Sequence, residues 1–203
     1  MAVPGSNEGA SGRRTAGEGD SPGHDDTPSD FATLYTVGHS TRALETLIGL
    51  LAGFGIEMLV DVRTIPRSRR LPHFNPEALR ASLEHAGIGY EHEPALGGLR
   101  KPAPDSINTG WKIAGFRGYA DHMQTLEFER ALGELITMGR SHRTAIMCAE
   151  AVPWRCHRSL IADALVIRGV HVIHILDEHV SRSHQMTPWA QVEGLEITYP
   201  AKP

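Results

Sequence analysis

Apolar residues in this chain fall into short runs separated by polar, glycine- and proline-rich stretches. Thr144 to Cys148 is one such run, bounded by Ser141-His142-Arg143 and by a Pro/Trp loop, and it reads as a buried strand. Beyond the loop, Leu160, Ile161, Ala164 and Leu165 recur at helical spacing; Gly169 stops that helix, and Val170 to Ile175 forms the next apolar run. A strand–helix–strand unit of this length requires parallel strands joined by a right-handed crossover. The same alternation precedes it. Leu34 to Val37 is a strand. Ser40 or Thr41 caps a helix that turns Leu44, Leu47, Ile48 and Leu51 inward and ends at Gly53 and Gly55. Met58 to Val62 is a second strand, Pro76 opens a helix through Ala86, and Ile88 to Glu91 is a short strand. A helix from about Tyr119 to Met138, broken near Thr125, follows a long irregular passage. Residues 176 to 203 carry no clear period beyond a helical turn at Thr187-Pro188-Trp189. The order predicts one α/β domain over residues 31–203, mainly a parallel sheet with helices on both faces. Its long loops, Arg63 to Asn75 and Pro94 to Arg117, both follow strands and so belong to the carboxyl edge, where open α/β sheets bind ligands.

Composition sharpens this picture at one end. Residues 1–30 hold six acidic side chains and two arginines, rich in Gly, Ser, Pro and Asp, and predict a disordered tail. That tail carries the whole formal charge of −4, so residues 31–203 are formally neutral and give no general argument for nucleic acid. No run is long enough for a membrane span and the start lacks a secretory pattern. Two cysteines make no disulfide framework, and a reduced, cytoplasmic setting is the simplest expectation.

The candidate chemistry gathers at the carboxyl edge. Cys148 ends its strand ahead of a helix and near Arg155 and Arg158, the setting of a lowered thiol pKa and a nucleophile. The same cysteine also reads as a small buried apolar residue, or as a zinc ligand beside Cys156, His157 and His39. His39 follows a strand and a glycine, where a general base or a helix-entry residue stands; Glu150 suits an acid/base partner of His157 or an ion pair with an arginine. Arg63, Arg67, Arg69 and Arg70, with Arg100, Arg117, Arg155 and Arg158, point to oxyanion recognition by planar guanidinium forks. Tyr90, Phe116, Tyr119 and Trp154 are candidates for stacking on a base. His171, His174, His179 and His184 are scattered and suggest no site.

Together, Thr36-Val37-Gly38-His39-Ser40, Asp61-Val62-Arg63 with Pro66 and Ser68, Tyr90, Leu96-Gly97-Gly98-Leu99-Arg100, Gly115-Phe116-Arg117-Gly118-Tyr119, and Cys148-Ala149-Glu150 with Cys156-His157-Arg158 resemble the domain-of-unknown-function 488 family of bacteria and archaea. The resemblance spans Leu34 to Ile175 and implies that these motifs belong together, without implying a reaction. A weaker similarity, to rhodanese-like domains and cysteine phosphatases, would give Asp61-Val62-Arg63, Cys148 and Arg158-Ser159 parts around an anion-cradling loop; Trp154 stands where a Cys-x5-Arg loop would carry its arginine.

The functional expectation is an enzyme, a cysteine- or histidine-dependent transferase or hydrolase, acting on a phosphorylated or other anionic, nucleotide-like small molecule. Cys148, His39, Glu150 and His157 would do the chemistry; Arg63, Arg67, Arg69, Tyr90, Arg100, Tyr119 and Arg158 would hold the substrate. The other class is a non-catalytic module that binds a nucleotide or nucleic acid through the same arginines. The sequence names no cofactor.

Overall fold

The computed structural model describes residues 32–201; the acidic tail predicted at the amino terminus lies outside the described residues. Strand β1 (Thr33–Gly38) leads into helix α1 (Leu44–Gly53), then β2 (Met58–Asp61), α2 (Pro76–His85) and β3 (Gly89–His92). After the long passage come α3 (Ala114–His122), α4 (Leu126–Ser141), β4 (Thr144–Cys148), α5 (Arg158–Val166) and β5 (His171–Asp177). These five strands and β6 (Val180–Ser183) make a sheet in the order β3-β2-β4-β1-β5-β6. The pairs from β3 to β5 are parallel, and β6 returns antiparallel on the edge. This is the single, mainly parallel α/β domain that the alternation predicts. The expected 119–138 helix is two helices: Thr125 accepts the Phe128 N–H as an N-cap, so the chain restarts where the break was read. Beyond β5, the unpatterned stretch supplies β6 and a small ribbon, β7 (Gln191–Glu193) with β8 (Glu196–Thr198); β6 and β7 are exposed throughout and leave no hydrophobic alternation to read.

Side-chain alternation along the central strands builds two cores. Leu34, Val60, Ile146 and Val172 face α3, α4 and α5, where they pack with Tyr119, Phe128, Leu132, Leu160 and Leu165. Tyr35, Val37, Leu59, Ala145, Met147 and Ile175 face α1 and α2, against Leu47, Leu50, Leu51, Leu79 and Leu83. Both faces being covered explains why these strands read as continuous apolar runs. The register brings Gly38 opposite Cys148, and Asp61 opposite Met147 and His92, so the carboxyl ends of β1 to β4 finish at one level. That level is the floor of the site.

Candidate functional site

Strand β4 delivers Cys148 to the sheet edge, and the loop that follows returns Cys156 to the same place just before α5 begins at Arg158. The two sulfurs and a ring nitrogen of His157 lie within 4.8 Å of one another, and both cysteines are free thiols. Above them opens a cavity of about 330 Å³. Its floor is Cys148, Cys156 and His157; its walls include Arg63, Gly98, Phe116, Glu150 and Arg155. Ile65, Leu99 and Ile113 stand exposed around the mouth, 64–71% open to solvent, so the rim is apolar.

Arg158 lies beneath this floor, fully buried. Its Nε donates to Cys148 Sγ at 3.1 Å, Nη1 to Thr36 Oγ1 at 3.0 Å, and Nη2 to the Glu150 carbonyl at 2.5 Å. A permanent cation under two thiols favours one of them as an anion. Burial alone would raise the pKa of Cys156. The Cys148 thiol, the Arg158 guanidinium and the Arg158 backbone N–H at the start of α5 outweigh that and draw it down to about 6. Cys148 moves the opposite way, well above an ordinary thiol, because it serves as hydrogen-bond donor to Cys156 and is buried. The sequence offers Cys148 as the activated thiol; the helix start and the Cys148 thiol favour the charge on Cys156, eight positions later.

His157 is neutral, its pKa lowered chiefly by burial. Nε2 sits 3.1 Å from the Val62 carbonyl, which accepts only from a protonated nitrogen, so Nδ1 keeps its lone pair. That lone pair lies 3.6 Å from Cys156 Sγ. Two sulfurs and this nitrogen are the atoms that could hold a soft cation such as zinc. The Arg158 charge, 3.1 Å from one sulfur, weighs against a dication and for a thiolate in the same place.

The other expected site residues are placed as follows. Arg63 forms a buried bidentate pair with Asp61, its Nε at 2.8 Å and its Nη2 at 2.5 Å, and also donates to the Phe74 carbonyl. Its remaining nitrogen faces His39 Nε2 at 3.3 Å. His39 therefore sits behind the cavity wall, donating Nδ1–H to the Ser40 carbonyl and lying against Phe74. Burial and the Arg63 charge lower its pKa to about 4. Tyr90 donates its hydroxyl to Asp61 at 2.8 Å, and Tyr119 donates to the Leu96 carbonyl at 2.9 Å; both are buried. Arg67 pairs with Glu77 on the surface, and Arg69 and Arg70 are exposed on the same loop. Arg100 clasps the Gly97 and Ala95 carbonyls and pairs with Glu127, fixing the glycine loop rather than lining the cavity. Of the arginines, Arg63 and Arg155 line the cavity, and Arg155 is exposed with no side-chain hydrogen bond or ion pair among the described residues. Glu150 is exposed at the same mouth.

Two histidines that look scattered along the sequence, His174 and His184, are joined to the site from below. Thr36 Oγ1, which accepts from Arg158, contacts His174 Nδ1 at 2.8 Å; His174 Nε2 contacts His184 Nδ1 at 2.9 Å; His184 Nε2 contacts Asp163 at 2.7 Å. These contacts link Arg158 to the fully buried Asp163, which also accepts from Thr187 and Tyr199. The antiparallel return of β6 brings His184 back to His174, and nothing in the local sequence announces it.

The chain matches the family model described as Domain of unknown function DUF488 over residues 43–165, more than half its length, and belongs to that family. No curated protein and no solved structure matches it. A likeness to rhodanese-like domains is not shown.

Proposed function

We propose that this member of the DUF488 family is a cysteine-dependent enzyme whose nucleophile is Cys156, acting on a small substrate with an apolar portion and an anionic group. The observation that carries the reading is the placement of Cys156 Sγ on the floor of a cavity, at the start of α5, with Arg158 and the Cys148 thiol as donors. An ionised thiol attacks without waiting for a general base, so the covalent bond to the substrate forms directly from Sγ. His157 Nδ1 is a proton acceptor 3.6 Å from Cys156 Sγ. Arg63, held rigid by Asp61, His39 and Tyr90 as supports, is one side of the anion's seat, and Arg155 at the mouth is the other. Ile65, Leu99, Ile113 and Phe116 would cover the apolar portion.

A pair of alkylating probes of nearly equal size tests this. Iodoacetate is anionic and iodoacetamide is neutral. Repulsion from a thiolate slows the anion at an ordinary cysteine, whereas Arg155 should favour it at Cys156. The expected result is fast labelling of Cys156 with a preference for iodoacetate that Arg155→Ala abolishes. Labelling of Cys156 by either probe no faster than in the unfolded chain would refute the nucleophile.

A further inference from the structure

We infer that Cys156 and Cys148 act as one dithiol that reduces small organic disulfides and closes to an intramolecular disulfide. The inference rests on the reading of Cys156 as the nucleophile and assigns the atom it attacks. A cysteine that attacks carbon or phosphorus gains nothing from a second thiol at its side, since transfer between two sulfurs leads nowhere. One that attacks sulfur does, because a second thiol can expel the bound half of the substrate. Here the second thiol is in place: Cys148 Sγ lies within 4.8 Å of Cys156 Sγ on the same cavity floor, and neither is in a disulfide.

The steps balance with groups on the page. The Cys156 thiolate attacks one sulfur of the substrate, forming a mixed disulfide and releasing the first half as a thiolate. Cys148 has now lost its acceptor. The lone pair of His157 Nδ1, 3.6 Å from Cys156 Sγ on the same floor, takes the proton, while Arg158 Nε at 3.1 Å stabilises the new thiolate. Cys148 then attacks Cys156 Sγ, expels the second half as a thiol that recovers the proton from His157, and leaves Cys148 and Cys156 joined. Two electrons pass from the protein to the substrate, and a thiol reductant must reopen the pair for another cycle. Closing the bond draws the sulfurs to about 2.05 Å. The rim suits an aromatic or aliphatic disulfide bearing a carboxylate, with Arg155 on the carboxylate and Phe116 along the apolar part.

Dithiobis(nitrobenzoate), an aryl disulfide with two carboxylates, is the probe. The reduced full-length protein should release two equivalents of aryl thiol and end with no aryl group attached, two hydrogens lighter by mass. Cys148→Ser should release one equivalent and retain the aryl group on Cys156. Wild-type protein that stops at a stable mixed disulfide on Cys156 would overturn the dithiol while leaving the nucleophile standing. Thiols that react only after unfolding, with a stoichiometric metal ion released as they do, would overturn both.

Discussion

At the scale of single residues, the account turns on Arg158. A guanidinium with no exposure needs compensation for its lost hydration, and here it comes from Cys148, Thr36 and two backbone carbonyls. Removing one partner of such a buried set costs about 3–5 kcal/mol. Arg158→Met should therefore lower urea-denaturation stability by about that amount and move Cys156 ionisation up toward the ordinary thiol range. Thr36→Val is the milder companion: it keeps the charge, removes one acceptor, and should shift ionisation in the same direction with a smaller stability loss. Unchanged alkylation of Cys156 in both variants would separate Arg158 from the thiolate. The sequence placed the reactive atoms at this edge but not the charge among them. Cys148 and Cys156 both precede α5, and spacing cannot say which sulfur turns toward the helix start. The arginine cluster misled for a related reason: density along the chain at Arg67, Arg69 and Arg70 reflects an exposed loop, whereas the cavity takes one arginine from β2's end and one from the loop before α5.

At the scale of elements, two close backbone approaches hold the site together. Gly38 ends β1 where a Cβ would stand 1.9 Å from the Glu150 carbonyl oxygen, and the amides of His39 and Ser40 bond the Cys148 and Ala149 carbonyls at 3.0 and 2.9 Å. Backbone blocks that space, so Gly38→Ala must push β1 away from the loop after β4; thermal unfolding should fall sharply and rapid alkylation of Cys156 should be lost. Gly98 presses on His157, where a Cβ would come within 2.4 Å of Nδ1. Gly98→Ala should leave the sheet intact and turn the imidazole off the Val62 carbonyl. Formation of the mixed disulfide should persist while closure slows by up to about 100-fold, the low end of what a positioned base contributes. Equal slowing of both steps would mean that His157 takes no part in closure. The alternation of strands and helices was legible because both sheet faces are buried. The return of β6 was not, since its four positions are all exposed and supply no period.

At the scale of the whole molecule, the site depends on strands that the family match does not reach. The matched residues 43–165 exclude β1 and β5, yet β1 is central in the sheet, between β4 and β5, carries Thr36 and leads into His39. Buried neutral histidines couple this framework to pH. Burial and the Arg63 charge hold His39 down to about 4, and burial with the neighbouring His184 and Arg158 holds His174 down to about 3, against 6.5 for a free imidazole. Unfolding frees these rings to bind protons, so the unfolded state takes up more protons at mildly acidic pH and stability must fall as pH falls below 6.5. The His39 contribution levels off near pH 4 and that of His174 near pH 3. Urea denaturation should show this decline already between about pH 6.5 and 5, above the usual carboxylate range. Stability that stays flat across that interval would contradict the burial of both rings as neutral bases. No helix among the described residues is long and apolar enough to cross a membrane.

The central claim is that the charge at the cavity floor rests on Cys156. Its most direct test is substoichiometric alkylation of the reduced wild-type protein with iodoacetamide from about pH 5 to 9, read peptide by peptide by mass spectrometry. The account predicts label on Cys156 rising through a midpoint near about 6, while Cys148 stays unlabelled throughout. Label appearing first on Cys148, or a Cys156 midpoint at the ordinary thiol value of about 8.5, would contradict it.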